Sequence, residues 1–364
     1  MYIKLVIVFL ISLFHNNLAY SKTYITQVGP SLSYPWGVSK IDNENVLITE
    51  KGGNLKKINI VTGKSTTIKN VPKVLYLSQG GLLDVFVEKR NNNKYVLMCY
   101  SKPSEDLFAS TTVLHKSTLM NNALTDDKII FSTHQPLNES IHFGCRIAVS
   151  EKYIYLSLGD RGNRINSQNT KNYEGSIVRI KFNGARITSN PFNIDWLDEV
   201  YSIGHRNPQG LIVHPKNKTL WSHEHGPQGG DEINQLEGGG NYGWPYITHG
   251  EEYGGGKIGE FTQKGFIDPK WVWIPSIAPS GMTFYDGDMF PELKDHLLLG
   301  SLKFKQIYAI KILNNYPILE RKLLDRSYGR IRDLEIMNDG SILFITDEDT
   351  SGKYKGGLYK IFRK

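Results

Sequence analysis

Six times along the chain a run of β-branched and aromatic residues ends abruptly in polar or glycine residues: Val46–Glu50, Tyr95–Tyr100, Ile154–Asp160, Leu220–Glu224, Leu297–Ser301 and Ile342–Asp347. Each follows a second short apolar segment, at Trp36–Ile41, Gly81–Val87, Cys145–Val149, Gln209–Val213, Gly281–Tyr285 and Ile331–Ile336. Side chains of these types fit a pleated, half-buried surface and lose rotamer freedom in a helix, so the segments read as strands. A paired-strand unit recurring every 45 to 75 residues or so is the mark of a radial repeat, in which each unit buries its apolar faces against its neighbours. Six units predict an all-β fold, a six-bladed β-propeller with four-stranded antiparallel blades. The starts of the inner strands then gather on one face around the central channel. Polar residues far apart in the sequence can be read there as one site.

At 364 residues the chain is long enough for two domains, but a ring of this size is one closed unit, expected over residues 22–364. The first residues differ in character. Lys4 precedes an apolar run from Leu5 to Phe14, and Ala19 and Ser21 stand where a signal peptidase would cut. Residues 1–21 therefore read as a cleavable signal peptide, too short to span a bilayer, and the mature protein is expected to be periplasmic or secreted, with no stable membrane insertion. Cys99 and Cys145 survive in the exported form. A disulfide is open to them in an oxidising compartment, yet two free, buried thiols are the expected state. The net charge of +7 is dispersed, without a basic stripe or aromatic RNA-binding pattern, so nucleic acid is not an expected partner.

The chemistry-bearing residues fall at predicted strand starts and ends. His142 precedes one strand and Asp160 ends the adjacent one, so antiparallel pairing returns both to one rim. A carboxylate on one imidazole nitrogen leaves the other as a base near neutral pH; a structural histidine pinning its turn is the plainer alternative. Arg206 and Asn207 stand ahead of a Pro-Gln-Gly turn, Arg330 and Arg332 start the last blade, and Lys303 follows Gly300-Ser-Leu. Each cation alone reads as a surface salt bridge. Together on one rim they point to a ligand bearing several carboxylates or phosphates. Gln79 opens another inner strand, where it either bonds a ligand or caps its turn. The segment from His223 to Asn234, running on to Pro245, mixes oxygen-bearing side chains with glycines. That composition suits Ca²⁺; His223 and His225 suit zinc; a glycine-rich loop capping a blade needs no metal.

Seven segments in one order, PWGVSKI…VLITEKGGNL, QGGLLDVF, HFGCRIAV…LSLGDRGNR, GHRNPQGLIVHP, LWSHEHGPQGGDEINQLEGGGNYGWP, PSIAPSGMTFYDG and GRIRDLEI…ITDED, resemble the soluble pyrroloquinoline-quinone-dependent aldose sugar dehydrogenases, from about residue 30 to the C-terminus. The resemblance implies a propeller carrying pyrroloquinoline quinone (PQQ) and Ca²⁺ on its channel mouth, oxidising aldose sugars at C1 to lactones and passing electrons to an external acceptor. It implies that His142 is the general base and Asp160 its orienting partner. Gln79, Arg206, Asn207, Lys303, Arg330 and Arg332 would hold the quinone, and Tyr253 would approach it. The main-chain carbonyls of Gly226 and Pro227 would bind the cofactor-site Ca²⁺, and Glu232 and Tyr242 a second, structural one. Three features depart from the family pattern. Cys145 stands where a glycine is expected, Lys305 takes the place of Lys303 if the register differs, and the linker from Asn190 to Asp198 has no counterpart.

Two other classes compete with the oxidoreductase: a calcium-dependent lactonase or esterase propeller, and a non-catalytic extracellular binding propeller. A lactonase needs a carboxylate-lined calcium pocket at the mouth and has no use for three cations there. A binding module has no reason to keep both His142 and the cations.

Overall fold

The computed structural model describes residues 22–105, 108–348 and 355–364, so the signal-peptide reading of residues 1–21 lies outside the described residues. The first strand, β1 (Thr23–Leu32), stands apart from the blade that follows it. Blade 1 holds β2 (Pro35–Lys40), β3 (Asn45–Glu50), β4 (Asn54–Asn59) and β5 (Ser65–Thr67). Blade 2 holds β6 (Leu82–Arg90), β7 (Asn93–Pro103), β8 (Ser110–Met120) and β9 (Ala123–Ser132). Blade 3 is built from β10 (Ile147–Val149), β11 (Tyr153–Ser157), β12 (Ser176–Lys181) and β13 (Val200–Ile203). Blade 4 contains β14 (Pro208–Val213), β15 (Leu220–Glu224) and β16 (Asp231–Leu236). The short β17 (Gly240–Asn241) returns to blade 3, and β18 (Trp271–Trp273) completes blade 4. Blade 5 comprises β19 (Pro279–Phe284), β20 (His296–Ser301), β21 (Gln306–Leu313) and β22 (Tyr316–Lys322). Blade 6 comprises β23 (Arg330–Ile336), β24 (Ile342–Asp347) and β25 (Gly356–Arg363), with β1 as its outer strand.

The six-bladed propeller is thus present, each blade an antiparallel meander whose first strand is innermost. Blade 3 adds one feature: β17 extends it as a fifth strand, parallel to β13. Every predicted strand pair overlaps the first two strands of a blade, with overhangs at Ile41, Gly81, Cys145 and Arg146, Leu158–Asp160 and Tyr285, which lie just outside β2, β6, β10, β11 and β19. The apolar core is divided among the blades. Six buried clusters fill the seams, for example Leu47, Leu55, Val96 and Met98 between blades 1 and 2, and Trp221, Trp273, Leu297 and Tyr308 between blades 4 and 5. The seams hold the sheets face to face, which is why the second strands β3, β15, β20 and β24 are buried almost throughout, while outer strands such as β1 and β22 keep exposed positions. Among the described residues no helix is long and apolar enough to cross a membrane.

The free-thiol expectation is corrected. Cys99 on β7 and Cys145 ahead of β10 form a disulfide, with their Cα atoms 5.6 Å apart, inside the usual span for that bond. Both cysteines are fully buried in the seam between blades 2 and 3, where the ring brings the middle of one strand against the start of another.

Candidate active site

His142 lies in the segment leading into β10, in the left-handed backbone region at φ 51°. Two clasps hold it there. Gln79 donates its backbone N–H to the Ser140 carbonyl at 3.0 Å, and its side-chain oxygen accepts the His142 backbone N–H at 2.8 Å. From the other side Arg161 donates from Nε to the Ile141 carbonyl at 3.2 Å and from its guanidinium to the Glu139 carbonyl, while stacking 3.8 Å from the Phe143 ring. Behind His142 the chain passes so close that a Cβ at Gly159 would lie 2.2 Å from the His142 carbonyl oxygen, so that neighbour must be glycine.

Asp160 follows directly and is 1% exposed. One of its carboxylate oxygens meets His142 Nδ1 at 2.7 Å and the Gly162 backbone N–H at 2.7 Å. The other accepts the indole N–H of Trp244 at 2.8 Å. A carboxylate on Nδ1 selects the tautomer with its proton there, which leaves Nε2 with a lone pair. Trp244 was not assigned a role from the sequence. A buried indole next to a carboxylate is decided by blade 4 folding over blade 3, which no local pattern records.

Beside the loop that carries His142 a cavity of about 320 Å³ opens at the channel mouth, walled in part by Gln79, Gly144, Asn207, Arg330, Arg332 and Lys51. Three cations line it, and among the described residues no aspartate or glutamate does. Arg332 is held by Asp347 at 2.5 Å through one terminal nitrogen, yet its Nε is buried without an acceptor among the described residues. Asn207 is fixed by the Gly144 N–H at 3.2 Å and the Gln209 amide at 3.1 Å, both bonding its side-chain oxygen. Lys51 is the cation that sequence reading missed. It sits just past the predicted strand end at Glu50, and burial, then the Arg332 charge, lower its pKa to about 8.

The other assigned residues take these places. Arg206 has its backbone N–H on Glu224 at 2.6 Å and gives one guanidinium nitrogen to the His225 and Gly226 carbonyls, each at 3.1 Å. Lys303 is exposed, next in sequence to the wall residue Leu302, with its ammonium 5.5 Å from the Phe304 ring. Tyr253 is 72% exposed, outside the cavity wall. Gly226 donates to Asp231 at 2.9 Å, and the carbonyls of Gly229 and Gly230 crowd within 2.4 Å of where its Cβ would be. Glu232 pairs across the sheet with Glu224, and its carboxyl is pushed well up by burial and then by that neighbour's charge, with Asp231 and Asp268 adding repulsion. Beside it, the side-chain oxygen of Asn234 is buried without a donor among the described residues. The Tyr242 phenol donates to the Gln235 carbonyl at 2.7 Å and accepts the Glu237 N–H at 2.9 Å. Among the described residues no three His, Cys, Asp or Glu side chains gather to hold a metal ion.

The zinc alternative for His223 and His225 does not hold. Their Nε2 atoms each lie 2.6 Å from a carbonyl of blade 5, those of Ser280 and Pro279. Burial lowers both pKa values, that of His223 to about 3, so they are neutral rings stapling blade 4 to blade 5.

The chain is thus of the class of six-bladed propellers with a histidine oriented by a buried carboxylate, beside a mouth cavity lined by three cations and, among the described residues, by no carboxylate. Comparison with known proteins narrows that class. The family model for glucose/sorbosone dehydrogenases matches residues 32–359, and the chain belongs to that family of sugar-oxidising enzymes. It is 34% identical over 328 residues, 88% of each chain, to the aldose sugar dehydrogenase YliI of Escherichia coli strain K12. The crystal structure of the soluble E. coli aldose sugar dehydrogenase in its apo form superposes with a TM-score of 0.85 at 33% identity, covering 94% of this chain and all of that one. The PQQ-bound aldose sugar dehydrogenase of Streptomyces coelicolor shares the fold, with a TM-score of 0.76 at 24% identity over 94% of this chain and 99% of that one.

Proposed function

We propose that the protein oxidises aldose sugars at C1 to lactones with PQQ and Ca²⁺, His142 acting as general base. The observation that carries this reading is the juxtaposition of the His142–Asp160 pair with a cavity walled by Lys51, Arg330 and Arg332 and, among the described residues, by no carboxylate. The wall presents two guanidinium groups and an ammonium, of which Arg332 is paired with Asp347, and the quinone is a tricarboxylate that such donors suit. The orphaned Arg332 Nε supplies a donor for it. When bound, the quinone supplies a two-electron acceptor for the C1 hydride and Ca²⁺ the Lewis acidity that polarises it.

The chain's own residues do the rest. His142 Nε2 takes the proton of the C1 hydroxyl, and Asp160 holds the ring in the productive tautomer and meets the imidazolium charge. Gln79, Arg206, Asn207, Arg330 and Arg332 hold the carboxylates and carbonyl oxygens of the cofactor, with Lys303 at the rim and Tyr253 in the outer loop. The carbonyl-rich turn at Gly226 and Pro227 fits a hard cation. Arg206 already donates to the Gly226 carbonyl, so a Ca²⁺ held by that oxygen would have to share it with the guanidinium. Glu232, with the donorless Asn234 oxygen beside it, fits a second Ca²⁺ that would relieve the repulsion among its neighbours. The Tyr242 phenol is committed to the Gln235 carbonyl and the Glu237 N–H, so any part Tyr242 takes in holding that ion would fall to its main-chain carbonyl. A signal peptide would place this chemistry in the periplasm or outside the cell, where an external acceptor takes the electrons.

The lactonase alternative needs carboxylates around a calcium ion at the channel mouth, and the described cavity wall has none. The test is an absorbance titration of purified protein with PQQ and Ca²⁺, followed by a panel of aldoses. Reduction of the bound quinone by sugar is expected; a protein that binds the quinone yet reduces it with no aldose is not this dehydrogenase.

A further inference from the structure

Lys51 lies just past the end of β3 in blade 1, and Arg330 and Arg332 open blade 6, so the closing of the ring sets three cations on one cavity. The ammonium of Lys51 donates to the Ser78 carbonyl at 2.7 Å and lies 5.1 Å from the centre of the Tyr76 ring. Neither partner carries a compensating charge. Arg332 opposes the ammonium, and Asp347, the acid that favours it, is already bonded to Arg332. Structural lysines are normally exposed or paired with an acid; a half-buried one facing an arginine across a cavity is arranged for a third, anionic party.

We propose that Lys51 is a cofactor-positioning residue, its ammonium meeting a carboxylate of the bound quinone on the wall it shares with Arg330 and Arg332. This rests on the quinone reading above and adds to it a residue that the motif pattern did not single out. The Ser78 bond places the ammonium on the same short segment as Gln79, so the cation and the clasp of His142 are set by one turn. Lys51 thereby ties the seating of the cofactor to the placement of the base.

The experiment is a double cycle on affinity, read by fluorescence quenching in the presence of Ca²⁺ and not by turnover. PQQ and its trimethyl ester, which lacks the charges, are titrated into the wild-type protein, Lys51→Met and Lys51→Arg, with the melting temperature of each variant as the folding control. Wild type should bind the free acid at least about tenfold more tightly than Lys51→Met does, the size of a charge-assisted hydrogen bond. For the ester the two proteins should be alike, and Lys51→Arg should recover most of the lost affinity. Equal affinity of wild type and Lys51→Met for the free acid overturns the proposal. So does an equal loss for acid and ester, which would make Lys51 only a pin for the turn at Ser78. A wild-type protein that binds no PQQ at all instead overturns the quinone reading, and the role of Lys51 falls with it.

Discussion

An imidazole is a useful base only when one nitrogen is spoken for and the ring cannot turn. Asp160 meets both conditions for His142, because its two oxygens take three donors, from His142, Gly162 and Trp244. Removing the ring should therefore separate chemistry from cofactor binding. His142→Ala is expected to lower the single-turnover rate of quinone reduction by about 10²-fold or more, the usual scale of general-base catalysis. Quinone affinity should stay within a factor of about two, since the base contributes no cation to the cavity. Stopped-flow absorbance and a binding titration measure the two quantities. An unchanged rate would take His142 out of the mechanism, and a matching loss of affinity would make it a wall residue.

At the scale of the strand, the mouth of the channel is shaped by interruptions. In blades 1, 2, 4, 5 and 6 the pairing of the innermost strand with its neighbour shifts register near its start, between Pro35 and Val38, Leu82 and Val85, Pro208 and Gly210, Ser280 and Met282, and Ile331 and Asp333. Such bulges redirect side chains, so alternation along β23 does not by itself explain why Arg330 and Arg332 share a cavity. Blade 3 uses a different device: Gly144 and Cys145 both adopt positive φ, 63° and 71°, before β10 begins, and the disulfide to β7 anchors the second of them. A left-handed conformation is costly for cysteine and cheap for glycine. The crosslink and the backbone therefore pull in opposite directions when they are removed together. Cys99→Ala/Cys145→Gly is expected to lose about 2–4 kcal/mol of unfolding free energy, the usual worth of a native disulfide, offset in part by the easier glycine. Turnover should hold to within a few-fold, because Gln79 and Arg161 still clasp His142. Urea unfolding and steady-state rates test this, and a variant as stable as wild type would show that the crosslink restrains nothing. These devices mark the limit of what could be read from the sequence. Strand pairs were legible because β-branched runs write themselves locally, and His142 and Asp160 were legible because antiparallel neighbours share a rim. The disulfide, the Trp244 indole and Lys51 all depend on how one blade lies against the next. The signal that was present and passed over is a lone charge inside an otherwise apolar inner strand, as with Asp84 in GLLDVF and Arg146 in CRIAV.

Those lone charges hold the ring as a whole. The N-terminal β1 closes the circle by pairing antiparallel with β25, and the ring is also tied at its centre by one side chain. Arg146, from blade 3, stacks 3.9 Å from the Trp36 ring of blade 1 and donates to Asp84 of blade 2 at 3.1 Å, the Gln209 carbonyl of blade 4 at 2.9 Å, and in blade 6 the Arg332 carbonyl at 3.2 Å, with Asp333 at 3.1 Å. It separates the mouth cavity from a second one of about 290 Å³ deeper in the channel. Glycine makes room for its partners: a Cβ at Gly281 would fall 1.6 Å from an Asp333 carboxylate oxygen, and one at Gly37 2.8 Å from Asp84. The two acids also cap the neighbouring blades, Asp84 accepting the Ile147 N–H at 2.8 Å and Asp333 the Val38 N–H at 2.9 Å. Burial, joined by repulsion from Asp333, raises the pKa of Asp84 to about 7 even though the guanidinium pulls it down. A carboxyl whose folded pKa lies above its unfolded value favours the fold in its protonated form. That contribution is full below about pH 4 and is lost as the pH climbs through the folded value. Arg146→Met removes the opposing charge and keeps the bulk, so both acids should rise further. The variant should lose about 3–5 kcal/mol near pH 8, the cost of breaking a buried pair, and visibly less at pH 5, where the orphaned acids take up protons. Adding Asp84→Asn and Asp333→Asn should flatten that pH dependence. Urea midpoints at the two pH values decide it: equal losses at both would mean that the guanidinium stabilises the ring by packing on Trp36 and not by neutralising the acids.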